Sequence, residues 1–224
     1  MSKKTWIIFV AITVVVLGGL VLLSRKNQVN VSNVDQTKIQ VANADNGNIA
    51  DHVFGNTSGK ITLIEYGDFQ CPACGQAYPI LKDLTEQYKD KLTFIFRNNP
   101  LTTIHPNARA GAAAAEAAGL QGKYWEMHDA LYVNQDAWSS LSTEKRGSAY
   151  EAYAKAVGVA KADQFKSDMD SKNVDSKINF DLALGKKIPV QGTPTILLNG
   201  KQIESDVWSD KAKFKAQIDE ALKS

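Results

Sequence analysis

Hydrophobic and polar positions divide the chain into three regimes. From Trp6 to Leu23 (WIIFVAITVVVLGGLVLL) no charge interrupts an apolar run in which Thr13 supplies the polar hydroxyl. Such a run is at the short end of the roughly 20 residues that cross a hydrocarbon core. From Ser24 to about Asn48 the residues turn polar, rich in Asn, Gln and Val, and read as a tether; the alternation from Thr37 to Val41 is too brief to establish a strand. From about Ile49 the spacing becomes that of a folded domain. Lys60 to Tyr66 (KITLIEY), rich in β-branched residues, predicts a strand. Cys74 to Tyr88 carries Ala77, Ile80, Leu81, Leu84 and Tyr88 at helical spacing, and Leu92 to Arg97 (LTFIFR) predicts a second strand. Strand, helix and strand in that order predict a βαβ unit with a parallel pair, because parallel strands need a crossover.

Between about Pro106 and Lys187 the pattern changes to Ala-rich amphipathic stretches broken at Gly119, Gly122, Gly147 and Gly158, which predicts a helical insertion. A short strand from Ile196 to Leu198, the turn Asn199-Gly200 and a partner from Lys201 to Glu204 follow; Asn-Gly between apolar runs predicts a type I′ hairpin. A helix from Asp210 to Leu222 closes the pattern. Within the insertion, Tyr124, Trp125, Met127, His128 and Leu131 recur at helical spacing, so the apolar ones read as core and His128 as structural or surface. The Asp-rich stretch from Asp163 to Asp175 lacks the ligand order and central glycine of a calcium loop and reads as a solvated helix face.

Charge does not orient the N-terminal run, since Lys3 and Lys4 precede it and Arg25 and Lys26 follow it. Position does. A long domain without a second apolar span lies downstream, and such domains translocate largely regardless of charge. The expected organisation is a cytoplasmic stub 1–5, a transmembrane anchor 6–23, a polar tether 24–48 and an extracytoplasmic domain 49–224, with the chain on the cell membrane as a single-pass protein. A cleaved secretory signal would have the same charged start and apolar core, although no A-x-A site lies just after Leu23. Either arrangement exports the domain.

Composition narrows the chemistry. Apolar residues at 44% and charged residues at 22% are those of a folded protein, and 26 Lys+Arg against 24 Asp+Glu leave a net charge of +2. No basic stripe is available to neutralise a row of phosphates, which argues against nucleic acid. The cysteines are two, Cys71 and Cys74, in the segment Cys-Pro-Ala-Cys. Without a second pair there is no disulfide framework and no four-cysteine zinc site, and His52, His105 and His128 lack the paired spacing of zinc modules, so no metal is expected. At the first turn of a helix Cys71 would meet free backbone N–H groups and the positive end of the dipole, which favour its thiolate. Cys74, about one turn on, would be placed to attack a mixed disulfide at Cys71. Pro72 suits a helical position that needs no backbone donor.

Glu65-Tyr66-Gly67-Asp68-Phe69-Gln70-Cys71-Pro72-Ala73-Cys74, the helical insertion and Val190-Gln191-Gly192-Thr193-Pro194-Thr195 together resemble the DsbA-like oxidoreductases of the thioredoxin superfamily, including membrane-anchored members from Gram-positive bacteria. The resemblance covers roughly 49–224. It implies an α/β thioredoxin fold with an inserted helical subdomain, here preceded by the transmembrane helix. It further implies that Pro194 is cis and lies against the active-site disulfide, that Thr193 offers backbone hydrogen bonds to an extended substrate segment, and that Glu65 is a buried acid helping to move the proton of Cys74. No cofactor beyond the Cys71–Cys74 disulfide is implied. The implied partners are unfolded or reduced exported proteins and a quinone-linked membrane reoxidase. One departure stands out: Pro72-Ala73 occupies the place of a frequent Pro-His or Pro-Tyr, and loss of an imidazolium predicts a weaker oxidant. The same pair run backward would make a reductase or isomerase, and an anchored chaperone-like module with incidental thiols is the reading from another class.

Overall fold

The computed structural model describes residues 3–26, 29–188 and 190–223, the side chains of 20–26 excepted. Residues 1–2 of the expected stub, the side chains of 20–23 in the expected anchor and residues 27–28 of the expected tether therefore lie outside the described residues. The chain divides into two units, 1–30 and 31–224.

The first unit is helix α1 (Lys3–Lys26). Its described apolar side chains are exposed, Trp6, Ile8, Phe9 and Val15 each by more than half. Thr13 donates its hydroxyl to the Phe9 carbonyl at 2.8 Å, closing the one polar side group of the run within the helix itself. Among the described residues no helix is long and apolar enough to cross a membrane; the described part of the run stops short of the about 20 residues a span requires.

The second unit is built on a five-stranded sheet in the order β1-β3-β2-β4-β5. Its strands are β1 (Val53–Gly55), β2 (Ile61–Gly67), β3 (Leu92–Asn98), β4 (Thr195–Leu198) and β5 (Lys201–Ile203). β2 and β3 are parallel, joined by helix α2 (Pro72–Tyr88), while the other neighbours pair antiparallel. Central β2 is covered on both faces, so its sequence reads as a nearly continuous apolar run rather than an alternation. The period of two still sorts the faces. Ile61 and Leu63 pack with Leu81 and Leu84 of α2, and Glu65 shares their face; Tyr66 points the other way. Asn199 and Gly200 both take positive φ, 49° and 79°, as the Asn-Gly hairpin predicted.

Among the described residues six helices fill the long connection from β3 to β4, α3 (Ala108–Gly119), α4 (Tyr124–Val133), α5 (Gln135–Trp138), α6 (Thr143–Ala156), α7 (Ala162–Met169) and α8 (Lys172–Lys187), and α9 (Ser205–Trp208) and α10 (Lys211–Ala221) follow β5. Small alanines of α3 let it lie at the centre of a second core with Met127, Leu131, Trp138, Tyr150 and Phe165. Tyr124 and Met127 are core residues, and His128 is buried among rings.

Residues 31–48, expected to be a tether, are folded onto this unit. The buried Arg97 guanidinium donates to the carbonyls of Gln36 and Lys38, and Lys187 donates to the carbonyl of Ser32 at 3.0 Å. The 3₁₀ turn Ala44–Asn46, capped by Asn43, lies so close to α8 that a Cβ on Gly47 would fall 2.0 Å from the Asn173 carbonyl oxygen. Backbone carbonyls satisfied by distant cations hold the segment, which is why a polar composition concealed it.

Arg97 belongs to a fully buried ion network on the face of the sheet turned away from α2. Its guanidinium meets Asp51 at 2.8 Å and the Tyr66 hydroxyl at 2.9 Å; Lys177 meets Asp51 at 3.0 Å and Asp181 at 2.7 Å. Removing one member of such a network strands the others. Lys177→Met keeps the bulk, leaves Asp51 and Asp181 without that cation, and is expected to lower the unfolding free energy by about 3–5 kcal/mol; urea unfolding measures it, and a loss below about 1 kcal/mol would show the network to be dispensable.

Candidate active site

Cys71 is the N-cap of α2, in extended conformation at φ −70° and ψ 123°, and Pro72 occupies the first helical turn where a missing N–H costs nothing. Cys74, one turn on, is completely buried, while Cys71 is 7% exposed. Both are free thiols. The Cys71 thiol contacts the Thr193 carbonyl at 3.3 Å, which brings the loop before β4 over the helix terminus. The Thr193–Pro194 peptide bond is cis. Thr195 returns its hydroxyl to the Gly192 carbonyl at 2.8 Å and so closes this loop on itself.

The two sulfurs stand in different environments. A hydrogen bond from the Cys74 thiol, opposed by partial burial and helped by the Thr193 hydroxyl and by the N–H groups of Cys74 and Ala73, brings Cys71 down from 9.0 to about 5. The Thr193 hydroxyl has no other partner in the thiol form, so it is left to donate to this sulfur once ionised. Burial, then donation to Cys71, then the negative charges of Glu65 and Cys71 push Cys74 well above its ordinary value, against one favourable contact from the Asp68 N–H. At neutral pH the pair is therefore one thiolate and one thiol. Glu65, on the α2 face of β2 between Phe96 and Ile196, is buried and is raised from 4.5 to about 8 by desolvation first and by the Cys71 charge second. It is a protonated acid within electrostatic range of both sulfurs.

Of the residues singled out in the sequence, Cys71, Cys74, Thr193 and Glu65 converge at this helix terminus, with Pro72 and Ala73 in the first turn and Pro194 following Thr193. Behind the sulfurs lies an aromatic wall: Phe69 stacks on Phe96 at 4.8 Å and meets Tyr132 at 5.1 Å and His128 at 5.5 Å. Burial pushes the pKa of His128 down, so it packs as a neutral ring.

Several residues that hold the turn carried no role in the sequence reading. Asp68 accepts from the N–H groups of Gln70 and Leu101 at 2.8 and 2.9 Å and bonds His105 Nδ1 at 2.7 Å, while its own carbonyl accepts from the Cys71 N–H at 3.0 Å. Gln70 donates to the Ser139 carbonyl at 2.7 Å and accepts from the Asn107 N–H at 2.6 Å. Gln135 donates from Nε2 to the carbonyls of both Phe69 and Cys71, each at 2.8 Å. Asp68 and Gln70 lie in the motif beside Cys71, where an Asx-type role was legible; His105, Asn107 and Gln135 come from the insertion, and no local pattern marks a partner so distant in sequence. Among the described residues no group of three or more His, Cys, Asp and Glu side chains is arranged to hold a metal ion.

A family model described as Thioredoxin matches residues 47–220. The Na(+)/H(+) antiporter NhaA 3 of Salinispora tropica is 37% identical over 152 residues, which are 68% of this chain; the chain spans 22% of that relative's length. The probable disulfide bond formation protein D of Bacillus cereus is 33% identical over 176 residues, covering 75% of this chain and 77% of the relative. In structure, oxidised BdbD from Bacillus subtilis superposes with a TM-score of 0.68 at 23% identity, over 84% of this chain and 98% of the other. The chain belongs to the thioredoxin family and is similar to a probable disulfide bond formation protein.

Proposed function

We propose that this protein donates its Cys71–Cys74 disulfide to reduced or unfolded exported proteins outside the cytoplasm. The observation that carries the reading is the inequality of the two thiols, Cys71 held near 5 and Cys74 held well above 9.0. Whatever stabilises a thiolate stabilises the dithiol form, and a stabilised dithiol makes its disulfide an oxidant.

The reaction follows from the same inequality. A substrate thiolate attacks Cys71 Sγ of the disulfide; the new bond joins substrate to Cys71, and the electron pair of the broken bond leaves on Cys74, whose negative charge the buried site opposes. Glu65, protonated at neutral pH, supplies the proton that Cys74 needs. A second substrate thiolate then attacks the substrate sulfur of the mixed disulfide, and Cys71 leaves as the thiolate its neighbours already favour. Substrate loses two electrons and the enzyme gains them. Thr193, with its carbonyl at the sulfur, and cis Pro194 form the edge on which an extended segment would lie. The redox-active disulfide is the group that carries the electrons, with no further cofactor in the cycle. A quinone-linked membrane partner would restore it, and α1, exposed and apolar along its described side chains, supports an anchored location with the domain on the extracytoplasmic side. The name of the Bacillus cereus relative supports the direction toward disulfide formation.

Cys71→Ser is expected to abolish oxidation of a reduced, unfolded test protein, and Cys74→Ser to accumulate a mixed disulfide with it, seen on non-reducing gels. Residual oxidation by Cys71→Ser above the uncatalysed rate would sink the assignment. Because Ala73 brings no imidazolium to the thiolate, equilibration with glutathione is expected to give a less oxidising potential than Pro-His relatives have.

Glu65 predicts a pH signature in the reduced protein. Its folded pKa of about 8 lies above the ordinary 4.5, so its contribution to stability is fully present below 4.5 and is lost as pH rises toward 8. Cys71 acts oppositely, since its depressed pKa adds stability as pH rises from about 5 to 9.0. Glu65→Gln removes the loss and leaves the gain, so unfolding free energies of the reduced variant should climb more steeply between pH 5 and 8 than wild type. Parallel curves would mean that Glu65 is ionised throughout.

A further inference from the structure

Of the contacts by which the helical insertion reaches the redox turn, one side-chain amide bonds Cys71 itself. Gln135 opens α5, and its Nε2 has two hydrogens, both committed: one to the Phe69 carbonyl and one to the Cys71 carbonyl, each at 2.8 Å. The rest of α5 is built to hold that amide still. Trp138 is fully buried and donates Nε1 to the Leu131 carbonyl at 2.8 Å, and the Ser139 carbonyl just beyond is taken by Gln70 and Asn107. On the other side, the contact requires that Gly75 lack a side chain: a Cβ there would fall 2.4 Å from Gln135 Oε1. The glycine after Cys74 therefore makes room for a group that arrives from far along the chain.

We propose that Gln135 is a positioning residue for the nucleophile, fixing the peptide planes on both sides of the turn so that the donors of the first helical turn stay aimed at the Cys71 sulfur. The inference rests on the reading of Cys71 as the reacting thiol. The Cys71 carbonyl lies in the same residue as that sulfur and accepts both the Gly75 N–H, at 3.1 Å, and the Gln135 amide, so the amide adds a tertiary hold to the first helical bond of α2. Its other acceptor, Phe69, precedes the turn, so one nitrogen ties the two ends together. Loss of the amide takes that donor from the Phe69 carbonyl and leaves the Cys71 carbonyl with the Gly75 N–H, at 3.1 Å, so the Phe69–Gln70 and Cys71–Pro72 planes that lead into the Ala73 and Cys74 N–H groups are held less firmly.

The test measures Cys71 ionisation by thiolate absorbance in the full reduced chain, for wild type, Gln135→Met, Gly75→Ala and the double variant. Gln135→Met keeps the length and removes both donors; Gly75→Ala leaves Gln135 unaltered but displaces it, and alanine favours the helix. Each is expected to raise the titration midpoint by about half a unit to one unit. The equilibrium with glutathione should move about three- to tenfold toward the less oxidising side, and the double variant should shift no further than the larger single one. A midpoint unchanged in Gln135→Met, shifts that add in the double variant, or a lowered urea midpoint with unaltered ionisation would each overturn the proposal. The wild-type midpoint separately judges the function: a value near that of an ordinary thiol removes the activated nucleophile, whereas the differences between variants judge Gln135.

Discussion

A negative charge on the Cys71 sulfur is held mainly by hydrogen bonds, and the remaining architecture answers to that requirement. Cys74, Thr193 and two backbone N–H groups supply the donors, with burial working against them. Each charge-assisted hydrogen bond contributes about 1.5–3 kcal/mol, and burial of the sulfur offsets part of it. No single donor then accounts for a fall from 9.0 to about 5, so several must act at once. Hydrogen bonds, unlike a nearby cation, fail when their angle drifts. A site that relies on several of them needs a turn whose peptide planes do not move.

The sheet keeps two electrostatic systems apart. On the α2 face, Glu65 is buried beside a thiolate and stays protonated, because desolvation and a like charge both oppose its ionisation. On the opposite face, Asp51 is equally buried yet bonded to Arg97 and Lys177, and remains ionised. Alternation along β2 and β3 assigns the two roles: Glu65 and Phe96 share one face, Tyr66 and Arg97 the other. A carboxyl that stays protonated is thus kept apart from cations that would favour its ionisation. The cations are used instead to bind the 31–48 segment to the back of the sheet and, with Asp51 between Arg97 and Lys177, to tie α8 there as well.

How much was legible follows from how local each signal is. The βαβ unit, the Asn-Gly hairpin, the Cys71–Cys74 pair at a helix start and the helical character of the insertion depend on neighbours in sequence, and they emerged from spacing. Glu65 and Pro194 needed a family resemblance, because neither burial of an acid in a strand nor the isomer of one peptide bond is written in spacing. Strand β1, the docking of 31–48 and the roles of Arg97 and Lys177 were not legible: a three-residue strand carries no period, and a lysine in a polar helix looks solvated until Asp51 and Asp181 bond it in the fold. His105, Asn107 and Gln135 were hidden for the same reason, since their partners lie some tens of residues away.

The position of the insertion in the chain explains why it is more than a cover for the redox turn. It leaves the sheet after β3 and rejoins it before β4, so both its ends are fixed beside the strand termini that carry the active site. Near its start, Leu101, His105 and Asn107 bind Asp68 and Gln70; midway, Gln135 and Ser139 bind Phe69, Gln70 and Cys71. Each contact lands on the residues immediately before Cys71 or on Cys71 itself rather than on α2 further along. A short α-helical N-terminus could offer its N–H groups without such help, but the preceding loop would be free to swing the N-cap residue. The insertion removes that freedom, and the geometry that keeps the sulfur charged is then set by tertiary contacts instead of by the Cys-Pro-Ala-Cys segment alone.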